Sequence, residues 1–389
     1  MRSITHFVAA VIAHEVKGEQ WTKNFFKAVF RRVDDITETV ACYLQLYGKP
    51  LPNSLKKGIR LAFNKFDGYA LAKYRGENGS VKLVDIVNMT HPNPTPANKD
   101  ALKQLIEGKL KQEDTWEALL SAAGSDEKKK AKVWETLLSE EKLGYFALLR
   151  NIRNISEQAP KVLPIALKEL INEDAIKGSL VLPFRFFTAY KQLQTDKVSS
   201  KVLGAISDAA DISLNNVPKF EGETLVVLDQ SGSMNGEPVQ IGAMFCAALA
   251  KANKADIITF GTTGRYESIN LRDSVLTIAE KLNTATQGGT DFDKPFEVAN
   301  KKYDRIIILS DMQGWIGYNT PTAAFGLYKR KYKASPIVYS FDLTGYGTIE
   351  FPQEKVFCLA GFSDKVFNIM KMLETDRNAF VKKVNEVVF

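Results

Sequence analysis

Cysteine and histidine are scarce, three of each in 389 residues. Cys42, Cys246 and Cys358 lie far apart in apolar surroundings, and His6, His14 and His91 are not grouped with them. Neither a disulfide framework nor a zinc site therefore has a ligand set, and reduced core thiols in a cytoplasmic protein are expected. Long apolar runs are also lacking. Stretches such as "RIIILSD" and "PIVYSFD" fall well short of the roughly 20 residues needed to cross a bilayer, so no membrane partner is expected. The opening "MRSITHFVAAVIAHEVKGEQW" has helical spacing that runs straight into charged residues without a cleavage pattern, and reads as a helix of the mature chain.

What is present is an uneven distribution of charge. Residues 1–220 carry a net +8 and residues 221–389 a net −1. The basic clusters are "KAVFRR" (27–32), "LKKGIR" (55–60), "AKYR" (72–75) and "KKKAK" (128–132). Clusters of this kind on helices are the footprint of phosphate-backbone binding, although solvated helix faces give the same pattern. Nearby Phe25, Phe26, Phe30, Tyr69 and Tyr74 could stack on bases, but their periodicity places most of them in a core.

Secondary structure changes at the same boundary. Up to about residue 217 the apolar spacing is helical, in segments joined by punctuation such as "GKPLPNS" and "HPNPTPAN". Helices joined in this way must pack on their neighbours, giving a bundle or an α-solenoid. After "NNVPKFEGE" apolar runs at 225–229, 255–261, 305–311, 336–342 and 355–362 alternate with helical stretches, which predicts an α/β, doubly wound, mostly parallel sheet. The reading is thus two domains, an all-α module over 1–217 and a Rossmann-like α/β domain over 221–389.

Ligands of such sheets bind beyond the carboxyl ends of the strands. "LVVLDQSGSMNG" leaves one of those ends with Asp229, Ser231 and Ser233 at alternate positions. Thr290, behind two glycines in "QGGTD", and Asp311, closing "IIILSD", are expected at the same edge. Two carboxylates and three hydroxyls select a hard divalent cation, Mg²⁺ first, with Mn²⁺ or Ca²⁺ as alternatives. Helix capping by Asp229 and the serines would explain the first motif alone, but not the Thr and the second strand-end Asp. No nucleophile or general base stands out near the site, so an enzyme is not expected.

Asp-x-Ser-x-Ser, then Thr, then Asp resembles the metal-ion-dependent adhesion site (MIDAS) of von Willebrand factor A (vWA) domains, and the resemblance covers about 221–389. It implies that Ser231, Ser233 and Thr290 contact the ion, with Asp229 and Asp311 bound directly or through water. The ion would keep a position open for water or for a partner's acidic group.

The first part is similar to the TROVE module of the Ro autoantigen family. The similar segments are "LPNSLKKGIRLAFNKFDGYALAKYRGENG", "VKLVDIVNMTHPNP", "VWETLLSEEKLGYFALLRNIRNI" and "VLPFRFFTAYKQLQ", followed in family order by "LVVLDQSGSM", "GGTD", "IIILSDMQ" and "LAGFSDKVFNIM". The resemblance implies a HEAT-like helical arc or ring, small noncoding Y-like RNA on its basic surface, and single-stranded 3′ ends of misfolded RNA at its centre. It also implies a ribonucleoprotein role in RNA quality control, with an exoribonuclease as one protein partner. By the same resemblance Lys73, in "AKYR" with Arg75, and His91, in "THPNP", contact RNA. Lys56, Lys57 and Arg60 join them on charge alone, with Arg150 and Arg153 in "LLRNIRN" as further RNA-binding candidates. Two features depart from the family: Glu77 stands where it tends to be basic, and the chain starts later than typical members, which puts ring closure in question. The alternative reading is a metal-dependent protein adaptor whose basicity is incidental.

Overall fold

The computed structural model describes residues 2–16, 19–74, 79–111, 115–196, 198–285, 288–314, 316–347, 350, 354–361, 364–376 and 378–388. The chain divides into two compact units, residues 1–126 with 384–389, and residues 127–383.

The first unit is built from α1 (Arg2–Glu15), α2 (Thr22–Val29), α3 (Val33–Tyr47), α4 (Asn53–Ala62), α5 (Gly68–Lys73), α6 (Leu83–Thr90), α7 (Lys99–Ile106) and α8 (Trp116–Ala123). Phe26, Phe30, Ile36, Val40, Leu55, Ile59 and Phe63 are fully buried at its centre. The run 24–48, which reads as one helical pattern, is broken after Val29 into α2 and α3. The C-terminal carbonyls of α2 are capped by a lysine from elsewhere in the unit: Lys65 Nζ donates to Phe30 O at 2.5 Å and to Lys27 O. Gly58 lets α4 lie directly on α2, because a Cβ there would fall 2.3 Å from Phe26 Cβ.

In the second unit α9 (Glu127–Ser139), α10 (Tyr145–Gln158), α11 (Leu163–Leu170), α12 (Glu173–Ser179), α13 (Pro183–Thr195) and α14 (Ser200–Ile212) precede a sheet. The order continues β1 (Thr224–Asp229), α15 (Glu237–Asn253), β2 (Asp256–Phe260), β3 (Gly264–Tyr266), α16 (Val275–Leu282) and α17 (Asp293–Val298). It ends β4 (Arg305–Ser310), α18 (Pro321–Tyr332), β5 (Ile337–Asp342), β6 (Val356–Ala360), α19 (Asp364–Thr375) and α20 (Ala379–Asn385).

The strands lie in the order β3-β2-β1-β4-β5-β6, all parallel except β3, which pairs antiparallel with β2. Every residue of β1 and β4 is buried, as strands covered on both faces must be. Leu225, Val227, Ile306 and Ile308 pack with Phe296 of α17 and Phe325 of α18 on one face. On the other, Gly242 of α15 sits so close that a Cβ would meet Leu228 at 2.7 Å. The helices before the sheet pack into this same unit. The rings of Phe184 (α13) and Phe245 (α15) stack at 5.6 Å, and Asp211 of α14 accepts from Lys251 Nζ at 2.9 Å and from the Val275 N–H at 2.8 Å. Among the described residues no helix is long and apolar enough to cross a membrane.

Candidate functional sites: a strand-end oxygen cluster and a basic helical face

β1 is hydrogen-bonded between β2 and β4, so Asp229 at its end is flanked by the ends of both neighbours. The loop that follows is pinned from two directions. The Gln230 N–H donates to Phe260 O at the end of β2 (2.7 Å), and the Gly232 N–H donates to Gly288 O (3.0 Å). The second bond draws "GGTD" onto the serine loop, and the Asp291 N–H bond to Gly261 O (3.0 Å) fixes its other side. The loop carrying Thr290 is thereby tied to the serine loop and to the end of β2.

The site is mostly buried and carries two carboxylates. Asp229, Ser231, Thr290 and Asp311 are all buried, whereas Ser233 is exposed. The Ser231 and Ser233 hydroxyls are 3.2 Å apart. Asp229 Oδ1 accepts from the Ser231 N–H at 2.8 Å, and Oδ2 accepts from the Ser310 hydroxyl at 2.5 Å. Burial pushes the Asp229 carboxyl up from its usual 3.8 to about 6, with the neighbouring Asp311 charge adding to the rise and the serine hydrogen bonds opposing it. Asp311 Oδ1 accepts from the Gln313 N–H at 3.2 Å, while its Oδ2 is buried without a hydrogen-bond partner.

A buried carboxylate oxygen without a partner, beside a second carboxylate and three hydroxyl-bearing residues, suits a hard divalent cation. No group of three or more His, Cys, Asp or Glu residues suited to a metal occurs among the described residues. The donor set is thus mostly neutral oxygen, unlike a zinc or iron site.

Two contributors do not stand out in the sequence. Ser310 orients Asp229, and the signal for it is its place just before Asp311 in "ILSD". Asp293, just past Thr290, accepts from the Tyr318 and Asn319 N–H groups and from the Asn319 amide, and so ties the loop after β4 to the loop carrying Thr290.

The basic candidates form no single cluster. On α4, Lys57 is exposed and Lys56 half-buried. Exposed Arg60 is partly committed to the fold, since its Nε donates to Thr90 O at 2.8 Å. Lys73 Nζ lies 5.5 Å from the Tyr69 ring centroid and 5.6 Å from that of Tyr74, and the Arg32 guanidinium lies 4.3 Å from the Tyr74 centroid. Tyr69 is 52% exposed, whereas Phe26 and Phe30 are fully buried in the core. His91 is exposed and ends α6 in the left-handed conformation (φ 47°), its N–H bonded to Val87 O. Arg75 and Glu77 lie outside the described residues. Arg150 and Arg153 belong to the second unit and line a cleft between α10 and α13. Arg153 is paired there with Glu157 (3.0 Å) and Asp196 (3.1 Å).

Comparison with known proteins assigns both parts. Residues 103–215 match the TROVE domain and residues 224–373 the Ro60 vWA domain, together about two thirds of the chain. Lys56, Lys57, Arg60, Lys73 and His91 precede the matched TROVE stretch. Telomerase protein component 1 of Mus musculus is 33% identical over 96 residues, and that of Rattus norvegicus 34% over 87. These matches cover 24% and 22% of this chain, which spans only 3% of the length of either relative. The crystal structure of the Deinococcus radiodurans RO (RSR) protein superposes with a TM-score of 0.68 at 20% identity, over 95% of this chain and 86% of that one, and shares its fold.

Proposed function

Because the chain belongs to the TROVE/Ro family, whose members bind RNA, we propose that it binds small noncoding, Y-like RNA as a ribonucleoprotein. Unpaired 3′ ends of misfolded RNA are a second class of ligand. The observation that carries this reading is the cluster of Lys73, Tyr74 and exposed Tyr69, where a cation lies over two aromatic rings. Cations neutralise phosphates and the rings offer faces to unpaired bases, a combination suited to RNA loops and ends. The protein acts as a binder in RNA quality control, not as a catalyst.

Asp229, Ser231, Ser233, Thr290 and Asp311 would hold Mg²⁺, and the ion's open position would take an acidic group of a protein partner, an exoribonuclease being one such partner. The buried, partnerless Asp311 oxygen supports this second role. It would make the sheet domain an adaptor in a chain whose helices bind RNA.

The test is binding of a labelled hairpin RNA with an unpaired 3′ tail across a salt series, with magnesium or with chelator. The comparison is a Lys56→Ala, Lys57→Ala, Lys73→Ala variant. Affinity should fall steeply with salt, and the variant should lose both affinity and about two units of the log–log salt slope. Magnesium should not matter to this binding if the ion serves a protein partner. Weak, salt-insensitive binding would refute the RNA reading and leave the adaptor role.

A further inference from the structure

The first unit holds a cleft of about 970 Å³ where the end of α1, the start of α2, the end of α3 and the start of α4 meet. Its size is that of a small-molecule or nucleotide site. Four lysines line it, Lys23, Lys49, Lys56 and Lys57, against one carboxylate, Glu19. None of the four makes an ion pair among the described residues. The wall between them is aromatic: His14 and Tyr47 stack at 3.9 Å with their planes 7° apart, and Tyr43 lies behind at 5.3 Å from Tyr47. His14 Nδ1 is 2.8 Å from Glu15 Oε1, which fixes the imidazole edge and leaves its stacking face parallel to Tyr47.

The cleft therefore offers cations without ion pairs among the described residues beside an aromatic wall. The carboxylates at hand are Glu19 in the lining and Glu15, which is taken up by His14. A ligand that brings negative charge on both sides of a planar ring matches both features at once. We infer that this cleft is a subsite for one unpaired nucleotide of a single-stranded RNA, its base against the His14–Tyr47 pair and its flanking phosphates on Lys23, Lys49, Lys56 and Lys57. The inference rests on the RNA-binding reading and extends it, since His14, Lys23, Tyr47 and Lys49 lie away from the Lys73–Tyr74 cluster in sequence and belong to a separate concavity. Base stacking with phosphate contacts and no base-edge reader predicts tolerance of sequence and a demand for single strands.

The experiment is fluorescence anisotropy of the full chain with a short labelled oligoadenylate, with oligouridylate, and with the same oligoadenylate annealed to its complement. Wild type is compared with Tyr47→Leu, Lys23→Gln plus Lys49→Gln, and Tyr69→Leu. Tyr47→Leu should weaken single-strand binding by about tenfold or more. The double lysine variant, whose side chains are exposed and carry no part of the core, should weaken it and lower the salt slope by about 0.7 for each phosphate no longer neutralised. The duplex should discriminate poorly between wild type and Tyr47→Leu. If wild type binds single strands but Tyr47→Leu and the lysine variant bind as it does, with unchanged salt slope, the cleft is not the subsite. Loss confined to Tyr69→Leu would then place RNA on the other cluster. If wild type binds no RNA of any kind, it is the broader reading that fails, and the two failures are told apart.

Discussion

The strand-end site and the basic helical face are built by opposite means. At the sheet edge nearly every group is buried and held by at least one neighbour: Asp229 by Ser231 and Ser310, the serine loop by Gly288, the threonine loop by Gly261. On the helices the candidate cations are exposed or half-exposed, and Lys73 lies over the rings of Tyr69 and Tyr74. A cation small enough to prefer fixed oxygen geometry needs the first kind of site, and a polyanion that varies in shape needs the second. The contrast teaches that substitution in the sheet domain should cost stability, while substitution on the helices should cost affinity with little change in fold.

The largest effect should come from the buried ion pair under the sheet. The Arg305 side chain is 4% exposed, forks onto both carboxylate oxygens of Glu374, and donates to Thr224 Oγ1 at 2.9 Å. Arg305→Ala leaves Glu374 beside the Tyr339 hydroxyl without its cation, and should cost about 3–5 kcal/mol in urea denaturation. A smaller loss would show that water reaches the pair and that the sheet domain is less rigid than its burial indicates.

Next is the pH dependence of the metal-free protein. Asp229 has a folded value of about 6 against the ordinary 3.8, so between those values the folded state binds more protons than the unfolded one. Its contribution is therefore full below about pH 4 and is lost as pH rises through 6, a change on the order of 3 kcal/mol. Urea titrations in chelator between pH 4 and 7.5 should show this fall, and Asp229→Asn should flatten it. Magnesium acts in the other direction because it favours the ionised carboxylate. At a hundredfold excess over its Kd it should stabilise wild type by about 2.7 kcal/mol at neutral pH, and it should not stabilise Asp311→Ala. Equal stabilisation of both proteins would remove the strand-end cluster as the ion site.

Much of this contrast was legible in the sequence. Five of the six strands announce themselves as mainly apolar runs, and Asp229 and Asp311 fall at strand ends where parallel sheets bind ligands. The sixth, Gly264–Tyr266, is three half-exposed or exposed residues pairing at an edge, too short to leave a period. The break between α2 and α3 was hidden for a different reason. "FRR" continues the helical spacing, and it is Lys65, distant in sequence, that takes the carbonyls at the end of α2. Pairing was similarly invisible: charge alone put Arg60 beside Lys57, with Arg150 and Arg153 as further, weaker candidates, yet Arg60 bonds a backbone carbonyl and Arg153 holds two carboxylates. A sequence shows which residues carry charge, while only packing shows which charges are already used.

The smallest expected effect follows from that distinction. Arg153 is about half exposed, and its guanidinium is shared between Glu157 and Asp196, so an RNA phosphate would have to displace a carboxylate to reach it. Arg150 lines the same cleft one helical turn earlier and makes no ion pair among the described residues. Arg153→Gln should therefore leave the RNA salt slope unchanged and the melting temperature nearly so, since exposed pairs contribute little. Arg150→Gln should lower that slope by about 0.7 if the cleft meets a single strand, measured on the same hairpin with an unpaired tail. Equal losses from the two variants would mean that the carboxylates give way to phosphate. The helical face would then be remodelled on binding, whereas the strand-end site is formed in advance.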